Sequence, residues 1–305
     1  MKKLGLSSCT GLTFLVAVSF VSDVHAAKPD ASSRNLPVRY EELSAPEFVK
    51  AVARSAGVCL IPAGIIEKHG PHLPLATDLL TSRELALRAA AREYALVFPW
   101  YYFGQIHEAK HQPGTLAYSP DLVWKMLQET CDELSRNGLK KIILVNGHGG
   151  NNAFLQYFCQ SQLASPKDYV LILFRPEDNP ALESKIKSLR KTSTGGHADE
   201  METSEMLVVR PDLVHAERGK DQSGKDRKRL EHLPYTYTGI WWYAKYPNHY
   251  AGDGSSASRE LGELLINSHA EQLVKLIQAV KKDGTVRELQ RLFFEQSSKP
   301  LKTRQ

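Results

Sequence analysis

Apolar positions along the chain follow two spacings, and each spacing predicts a different kind of element. Four short runs are apolar at nearly every position, as strands buried on both faces of a parallel sheet are; they cover about residues 58–62, 96–102, 141–145 and 169–174. Longer segments place apolar residues three or four positions apart, which predicts helices; these cover about residues 44–56, 78–95, 120–138, 152–163, 200–209 and 258–282. Because strand and helix alternate, we expect one α/β domain with a mostly parallel sheet covered by helices on both faces.

The segment from about residue 216 to residue 251 breaks this regularity. It is rich in Tyr, Trp, Lys and Gly and has little periodicity, so we expect an inserted loop. Its basic stretch, residues 218–229, also contains Asp221 and Asp226 and has no interleaved aromatics, which is typical of a solvated loop. The formal net charge is only +5 over 305 residues, and we expect no nucleic-acid binding.

The first residues have the pattern of an export signal. Lys2 and Lys3 precede a mostly apolar stretch over residues 12–21, and Val24-His25-Ala26 has the small-residue spacing that signal peptidases accept. The apolar stretch is shorter than the ~20 residues that a membrane-spanning helix needs. We therefore expect cleavage after Ala26 and no stable membrane insertion afterwards.

These observations divide the chain into four predicted segments of a secreted or periplasmic protein. They are a signal peptide (1–26), a flexible leader (27–40), a single large domain (41–290) and a polar tail (291–305). Three cysteines follow the signal, and an odd number gives no disulfide framework. We expect Cys59, Cys131 and Cys159 to be buried thiols.

The turn after the first predicted strand carries acid and histidine side chains. Glu67 and His69 are two positions apart, so in extended backbone both side chains point to one side, and Asp78 falls where the next helix begins. A Glu-x-His pair is by default a surface salt bridge. Here Gly64 and Gly70 help to shape a turn beyond the end of a strand, which is where open α/β sheets place ligands.

Two further stretches repeat this arrangement. The sequence Asn146-Gly147-His148-Gly149-Gly150-Asn151 follows the third predicted strand, which places His148 at the same rim as Glu67. His197 precedes a helix in which Glu202 has apolar neighbours. Taken singly, these stretches are an ordinary glycine-rich turn and a helix start with solvated acids. Taken with the first turn, they predict a metal centre that performs hydrolysis.

The donor set suits a pair of divalent ions. Glu67, Asp78 and Glu202 supply three negative charges, and one bridging hydroxide supplies a fourth, which balances two dications beside neutral imidazoles. Mixed nitrogen and oxygen ligands suit Zn, Mn or Fe better than Ca or Mg. We expect two divalent metal ions, Zn and/or Mn, with Fe as the alternative.

Together the motifs resemble the creatininase (creatinine amidohydrolase) family over about residues 40–280. The matching residues are Pro62-Ala63-Gly64, Glu67-Lys68-His69-Gly70-Pro71-His72-Leu73-Pro74, Asp78, Pro113-Gly114-Thr115, Asn146-Gly147-His148-Gly149-Gly150-Asn151, His197-Ala198 and Glu202-Thr203-Ser204. The resemblance implies a three-layer α/β/α fold, a homo-oligomer that is usually a hexamer, and a two-metal site that hydrolyses a cyclic amide or a related amide.

When the functional residues of the family are carried over position by position, the resemblance implies a role for each matching residue. Glu67, Asp78 and His148 would hold one metal, and His69 with the bridging Asp78 would hold the other. His197 matches a histidine placed to protonate the leaving nitrogen.

Two positions depart from the pattern of creatininase itself. Creatininase has a glutamate two residues beyond the histidine of the second motif, and this chain has Gly150 there. We infer that Glu202 supplies the missing carboxylate, as a ligand, a catalytic base or both. Lys68 stands where glutamine is frequent, which leaves the substrate more open than the metals.

Other polar and aromatic residues have two interpretations. Trp241 and Trp242 are either an aromatic wall for a flat ring or packing and oligomer contacts. His107, Glu108 and His111 either line the pocket or form an ordinary polar loop.

The sequence therefore predicts a hydrolase of carbon–nitrogen bonds in which a metal-bound hydroxide attacks a small amide, such as creatinine, which would give creatine. Two alternatives stay open: a deformylase or peptidase that acts on another amide bond, and an exported metal-binding protein without catalysis. A carrier fills the coordination sphere with protein atoms, whereas five ligands for two metals leave positions for water, which favours the enzyme.

Overall fold

The computed structural model describes residues 36–177 and 179–303, and a parallel sheet lies at its centre. Its strands are β1 (Val58–Ala63), β2 (Leu96–Val97), β3 (Lys141–Asn146) and β4 (Val170–Leu173). Their order across the sheet is β2-β1-β3-β4, and each neighbouring pair is parallel. The predicted parallel sheet is confirmed.

Helices connect the strands and cover both faces of the sheet. They are α1 (Ala45–Arg54), α2 (Thr77–Arg92), α3 (Pro120–Arg136), α4 (Asn151–Ser161), α5 (Pro180–Leu189), α6 (Glu200–Val209), α7 (Trp241–Lys245), α8 (Arg259–Lys282) and α9 (Thr285–Ser297). The predicted helices correspond to α1, α2, α3, α4, α6 and α8. The short helix α7 lies within the segment predicted as an inserted loop, and α5 and α9 were not predicted.

Alternate side chains of β3 pack into two separate cores, one on each face of the sheet. Ile142 and Leu144 face the cluster that contains residues of α3 and α4, whereas Ile143 and Val145 face the cluster that contains residues of α2 and α8. Each such fully buried aliphatic side chain contributes about 1.5–3 kcal/mol to the free energy of folding. The result is the expected three-layer α/β/α arrangement.

The second strand is shorter than the apolar run that predicted it. The run extends to residue 102, but β2 ends at Val97. Pro99 lacks a backbone N–H and cannot donate to a sheet ladder, so regular pairing stops beside it. Contact with β1 resumes as a single bridge between Ala63 and Tyr101.

The described residues extend beyond both ends of the predicted domain. Leu36 is buried and Arg39 forms a bridge with Val97, so packed structure begins before residue 41. Helix α9 continues past residue 290, where the predicted domain ends and the predicted polar tail follows. The predicted signal peptide and most of the predicted leader lie outside the described residues. Among the described helices, none combines the length and the apolar character that a membrane span requires.

Candidate metal centre

The first two motifs lie side by side because the strands before them are paired. Ala63 at the end of β1 is in register with Asn146 at the end of β3. The turn with Glu67 and His69 follows β1, and the turn with His148 follows β3. The carboxyl-end rim of the sheet therefore brings these side chains together, as the sequence predicted.

Two glycines let Asp78 enter between these turns. A Cβ atom at Gly64 would lie 2.8 Å from the backbone oxygen of Asp78, and a Cβ atom at Gly147 would lie 2.4 Å from the same oxygen. Real Cβ atoms do not come so close, so only glycine allows the start of α2 to approach both strand ends. This packing places the Asp78 carboxylate in the buried site.

Glu67, Asp78 and His148 form a group that fits a metal ion. Glu67 Oε1 lies 2.9 Å and Asp78 Oδ2 lies 3.1 Å from His148 Nδ1. Both carboxylate oxygens are buried, and when His148 is neutral they accept no hydrogen bond from any described residue. Buried carboxylates need a compensating charge, and donor atoms about 3 Å apart suit one ion at ~2.0–2.2 Å from each. The group contains the three residues predicted to hold one metal.

Backbone carbonyls fix which imidazole nitrogen faces the site. His148 Nε2 donates to the carbonyl oxygen of Gln105 at 2.9 Å, so Nδ1 is left without a proton when the ring is neutral. His69 Nδ1 donates to the carbonyl oxygen of Glu67 at 3.2 Å, which leaves Nε2 for the site. Metal-binding histidines are usually oriented in this way by a partner on the other nitrogen.

A second group overlaps with the first one. Glu67, His69 and His197 each offer a ligand atom, and these atoms lie within 4.8 Å of one another. Asp78 joins the two groups, because its Oδ1 lies 2.8 Å from His69 Nε2 while its Oδ2 faces His148. Donors for two ions therefore lie in a single buried cluster that shares Glu67.

Glu202 lies beside this cluster. Its Oε2 accepts a hydrogen bond from the backbone N–H of Ala198 at 2.5 Å and lies 3.9 Å from His69 Nε2. His197 donates from Nε2 to the carbonyl oxygen of Lys68 at 2.8 Å, and its Nδ1 lies 4.0 Å from Glu202 Oε2. The structure thus places both predicted catalytic residues next to the predicted metal ligands, and the roles of all of them stay predictions.

The backbone at Ala198 is left-handed, with φ of 54°. This conformation is unfavourable for a residue with a Cβ atom and is often found at functional sites. It allows the Ala198 N–H to reach Glu202, so local strain is coupled to the position of that carboxylate.

Opposing effects of burial and charge shift the pKa values of the imidazoles of His69 and His148. Burial alone would lower the pKa of His69, but the carboxylates of Asp78, Glu67 and Glu202 together outweigh burial and raise that pKa to about 10. Burial is likewise outweighed at His148, where the carboxylates of Glu67 and Asp78 together raise the pKa well above its usual value. A metal ion must displace the protons that these nitrogens hold, so protons and metal compete for the site.

The pKa values of Glu202 and His197 shift in the directions that favour the neutral form of each side chain. Burial raises the pKa of Glu202 to about 8, and the Asp199 and Asp78 carboxylates add to the rise while His69 opposes it. The Glu202 side chain is 34 % exposed, so water moderates the effect of burial. Burial also lowers the pKa of His197 well below its usual range. Glu202 is therefore better placed to carry a proton near neutral pH.

The sequence reasoning missed two features of the site. The buried His249 hydrogen-bonds to Glu67, and Trp242 Nε1 donates to His249 Nδ1 at 2.7 Å. Lys68, at the position that departs from the family, donates from Nζ to the carbonyl oxygen of Asn248 at 2.6 Å. Hydrogen bonds thus join the segment over residues 216–251 to the first motif. No motif or spacing in the sequence predicts that His249 belongs to the site.

The two adjacent tryptophans have different surroundings. Trp242 packs against His197, with ring centroids 6.0 Å apart, whereas Trp241 lines a neighbouring cavity of about 780 Å³. The side chains predicted either to line a pocket or to form a polar loop also line this cavity; they are His107, Glu108 and His111. Gly150 forms part of the same wall, so the cavity adjoins the second motif.

Comparison with known proteins gives a consistent result. The model of the creatininase family, described as creatinine amidohydrolase, matches residues 41–277. Creatinine amidohydrolase of Pseudomonas putida is 28% identical over 244 residues, which is 74% of this chain and 90% of that relative. A mycofactocin precursor peptide peptidase of Mycolicibacterium smegmatis is 36% identical over 161 residues, which is 51% of this chain and 59% of the peptidase.

Solved structures are similar over most of the chain. A crystal structure of creatinine amidohydrolase (creatininase) superposes with a TM-score of 0.69 at 26% identity, and the alignment covers 81% of this chain and 98% of that one. Other similar structures include a creatininase described with Mn and a mutant in a Zn-Zn form. These likenesses agree with the fold described above and with a site for divalent metal ions.

Proposed function

The chain belongs to the creatininase family of metal-dependent amidohydrolases, and from that premise we propose that two ions are held by Glu67, His69, Asp78, His148 and Glu202. The observation that supports this proposal most is the shared use of Glu67 by two overlapping groups of ligand atoms, one with Asp78 and His148 and one with His69 and His197. Glu202 belongs to neither group, but its Oε2 lies 3.9 Å from His69 Nε2. Zn and/or Mn suit the mixed nitrogen and oxygen donors best.

The bound ions would supply an acidified water molecule and a Lewis acid for the amide carbonyl. The protein's own residues would accept and donate the protons of the reaction. Glu202 is the acid of the site with an accessible side chain, and two bound cations would favour its deprotonated form. We assign to this carboxylate the removal of a proton from the attacking water. His197, which the family resemblance implies protonates the leaving nitrogen, would pass the proton on from this carboxyl, because its Nδ1 lies 4.0 Å from Glu202 Oε2.

A small cyclic amide such as creatinine is the first substrate candidate. The relative from Pseudomonas putida is a creatinine amidohydrolase, and a mutant creatininase complexed with creatine is among the similar structures. Because four ligand positions of the family are kept here (Glu67, His69, Asp78 and His148) and Glu202 is proposed to supply the carboxylate that Gly150 lacks, we propose that the same class of bond is hydrolysed.

A larger amide is the second candidate, and the cavity beside the centre favours it. Creatinine is a single small ring, whereas a cavity of about 780 Å³ is of the size that binds drug-sized ligands. Aromatic side chains from two segments face it, including Phe154 and Trp241. An amide with an extended or aromatic substituent, such as a short peptide, would use this space.

A panel of substrates tests these candidates. The chain from Ala27 onward, loaded separately with Zn or Mn, would be assayed against creatinine, an N-formyl amine and short peptides with aromatic side chains. We expect metal-dependent hydrolysis of at least one of these amides. Glu67→Gln should abolish it, and Glu231→Gln, an exposed acid in the 216–251 segment, should not. Two bound ions without any hydrolysis would instead indicate a metal carrier.

We also propose export and self-assembly. The pattern of residues 1–26 supports cleavage after Ala26, which N-terminal sequencing of protein recovered from the periplasm would test. The family resemblance supports a hexamer, which light scattering of the purified protein would test. An uncleaved chain or a monomer would contradict the respective proposal.

A further inference from the structure

A histidine outside the three motifs contacts the carboxylate that both groups of ligands share. His249 is 2 % exposed and follows α7 in the chain. Its Nε2 is hydrogen-bonded to Glu67 Oε2, and its Nδ1 lies 2.7 Å from Trp242 Nε1. Three side chains thus form one line of hydrogen bonds that ends on Glu67.

The chemistry of indole gives this line a direction. The Nε1–H of Trp242 is a donor and never an acceptor, so His249 Nδ1 must accept. A neutral imidazole then carries its proton on Nε2, which donates to Glu67 Oε2. Trp242 therefore selects the tautomer of His249 that offers a hydrogen bond to the carboxylate.

The two oxygens of Glu67 consequently have different partners. Oε1 lies 2.9 Å from His148 Nδ1 within the ligand group, whereas Oε2 is engaged by His249. We propose that His249 is a positioning residue that holds Glu67 with one oxygen toward the metal, and that Trp242 fixes the tautomer required for this. The inference rests on the proposed function, because it takes Glu67 to be a metal ligand.

The backbone around His249 is held from several sides. Its own N–H donates to the carbonyl oxygen of Tyr246 at 2.9 Å, and the carbonyl of Asn248 accepts from Lys68 at 2.6 Å. The carbonyl of Pro247 accepts from Gln112 Nε2 at 2.8 Å. His249 has φ of 51°, in the left-handed region that residues other than glycine rarely adopt. This constrained turn keeps the imidazole directed at Glu67.

A purely structural histidine would stabilise the turn without affecting the metal. Cobalt(II) binding separates the two roles, because the visible absorbance of the ion depends on its ligands and geometry. The measurement is a cobalt(II) titration of the metal-free full chain, with affinity and spectrum recorded for each variant and folding checked by circular dichroism.

Two substitutions at His249 distinguish the effect of the side chain's length from the effect of its left-handed backbone conformation. Asparagine tolerates the left-handed conformation well, but its side chain is too short to replace the imidazole. We expect His249→Asn to fold and to bind cobalt(II) roughly 10- to 100-fold more weakly, with a changed spectrum, as is typical when an outer partner of a metal ligand is lost. His249→Gln presents an amide N–H farther out and should recover much of the affinity and the spectrum.

Further variants control the comparison. His232→Asn removes an exposed histidine of the same segment and should match the wild type. Trp242→Phe keeps His249 but removes the donor to Nδ1, so a smaller change of the same kind is expected. If His249→Asn does not fold, Trp242→Phe decides, and a wild-type affinity and spectrum in that variant overturn the inference.

Glu67→Gln distinguishes this inference from the proposed function. Loss of metal in Glu67→Gln together with a wild-type affinity and spectrum in His249→Asn overturns the positioning role alone. Retention of both ions by Glu67→Gln overturns the proposed metal site and the positioning role with it.

Discussion

His69 Nε2 lies 2.8 Å from Asp78 Oδ1, and this contact joins the two ligand groups of the centre. The other oxygen of Asp78 lies 3.1 Å from His148 Nδ1. One buried carboxylate therefore faces donors of both groups, which is the arrangement expected of a ligand that bridges two ions.

Asp78→Asn should reduce the bound metal from about two ions to fewer than one per chain, because both groups lose a charged donor. We expect hydrolysis to fall by roughly 100-fold or more, since even outer partners of metal ligands account for ~10- to 100-fold effects. Elemental analysis and an amide assay on the same preparation would check this. Asp212→Asn, at an exposed acid paired with Arg210, serves as the control.

Gly147→Ala should weaken metal binding although it touches no metal ligand side chain. Its new Cβ atom would lie 2.4 Å from the Asp78 backbone oxygen and push the start of α2 away from the sheet. Gly149→Ala is a close control, because a Cβ atom there meets nothing within 4 Å. Equal metal affinity of the two variants would show that the close approach at Gly147 does not position Asp78.

Metal binding should release protons near neutral pH. The pKa of His69 is raised to about 10 in the metal-free protein, and that of His148 is also raised, so both rings hold protons that a metal displaces. Apparent affinity should therefore increase as pH rises toward about 10 and level off above it. Calorimetric titrations in buffers with different ionisation enthalpies would count the protons. A count of zero at about pH 7 contradicts this prediction.

Glu202→Gln should lower kcat by roughly 10²- to 10⁴-fold, which is the usual contribution of a general acid–base residue. Because Glu202 is also a proposed ligand, one ion should bind more weakly in this variant, and metal analysis separates that effect from lost proton transfer. Glu205→Gln, on the same helix, gives a matched comparison. A kcat of wild-type size in Glu202→Gln would remove this residue from the mechanism.

Local patterns were sufficient to predict the sheet and much of the site. The continuous apolar runs of β1 and β3 marked buried parallel strands, and the motifs directly after them had to meet at one rim because those strands are paired. Glu67 and His148 could therefore be placed together from the sequence, and the family resemblance supplied the roles.

Long-range contacts account for what the sequence did not reveal. His249 is 182 positions from Glu67 and lies in a segment without periodicity, so only the folded backbone brings the two together. The α5 helix has an N-cap, Asn179, and a proline in its first turn, but its exposed surface leaves a weak apolar pattern. The predicted second strand is too long because Pro99 has no backbone N–H to donate, so strand pairing stops there although its neighbours favour β structure.

The central claim is that Glu67 belongs to a two-metal hydrolytic centre, and the metal content of wild type and Glu67→Gln, measured beside amide hydrolysis, tests it most directly. We predict about two divalent ions in the wild-type chain, loss of activity on chelation and recovery with Zn or Mn. Glu67→Gln should remain folded, bind fewer ions and be inactive. Full hydrolysis by metal-depleted protein or by Glu67→Gln would contradict the account.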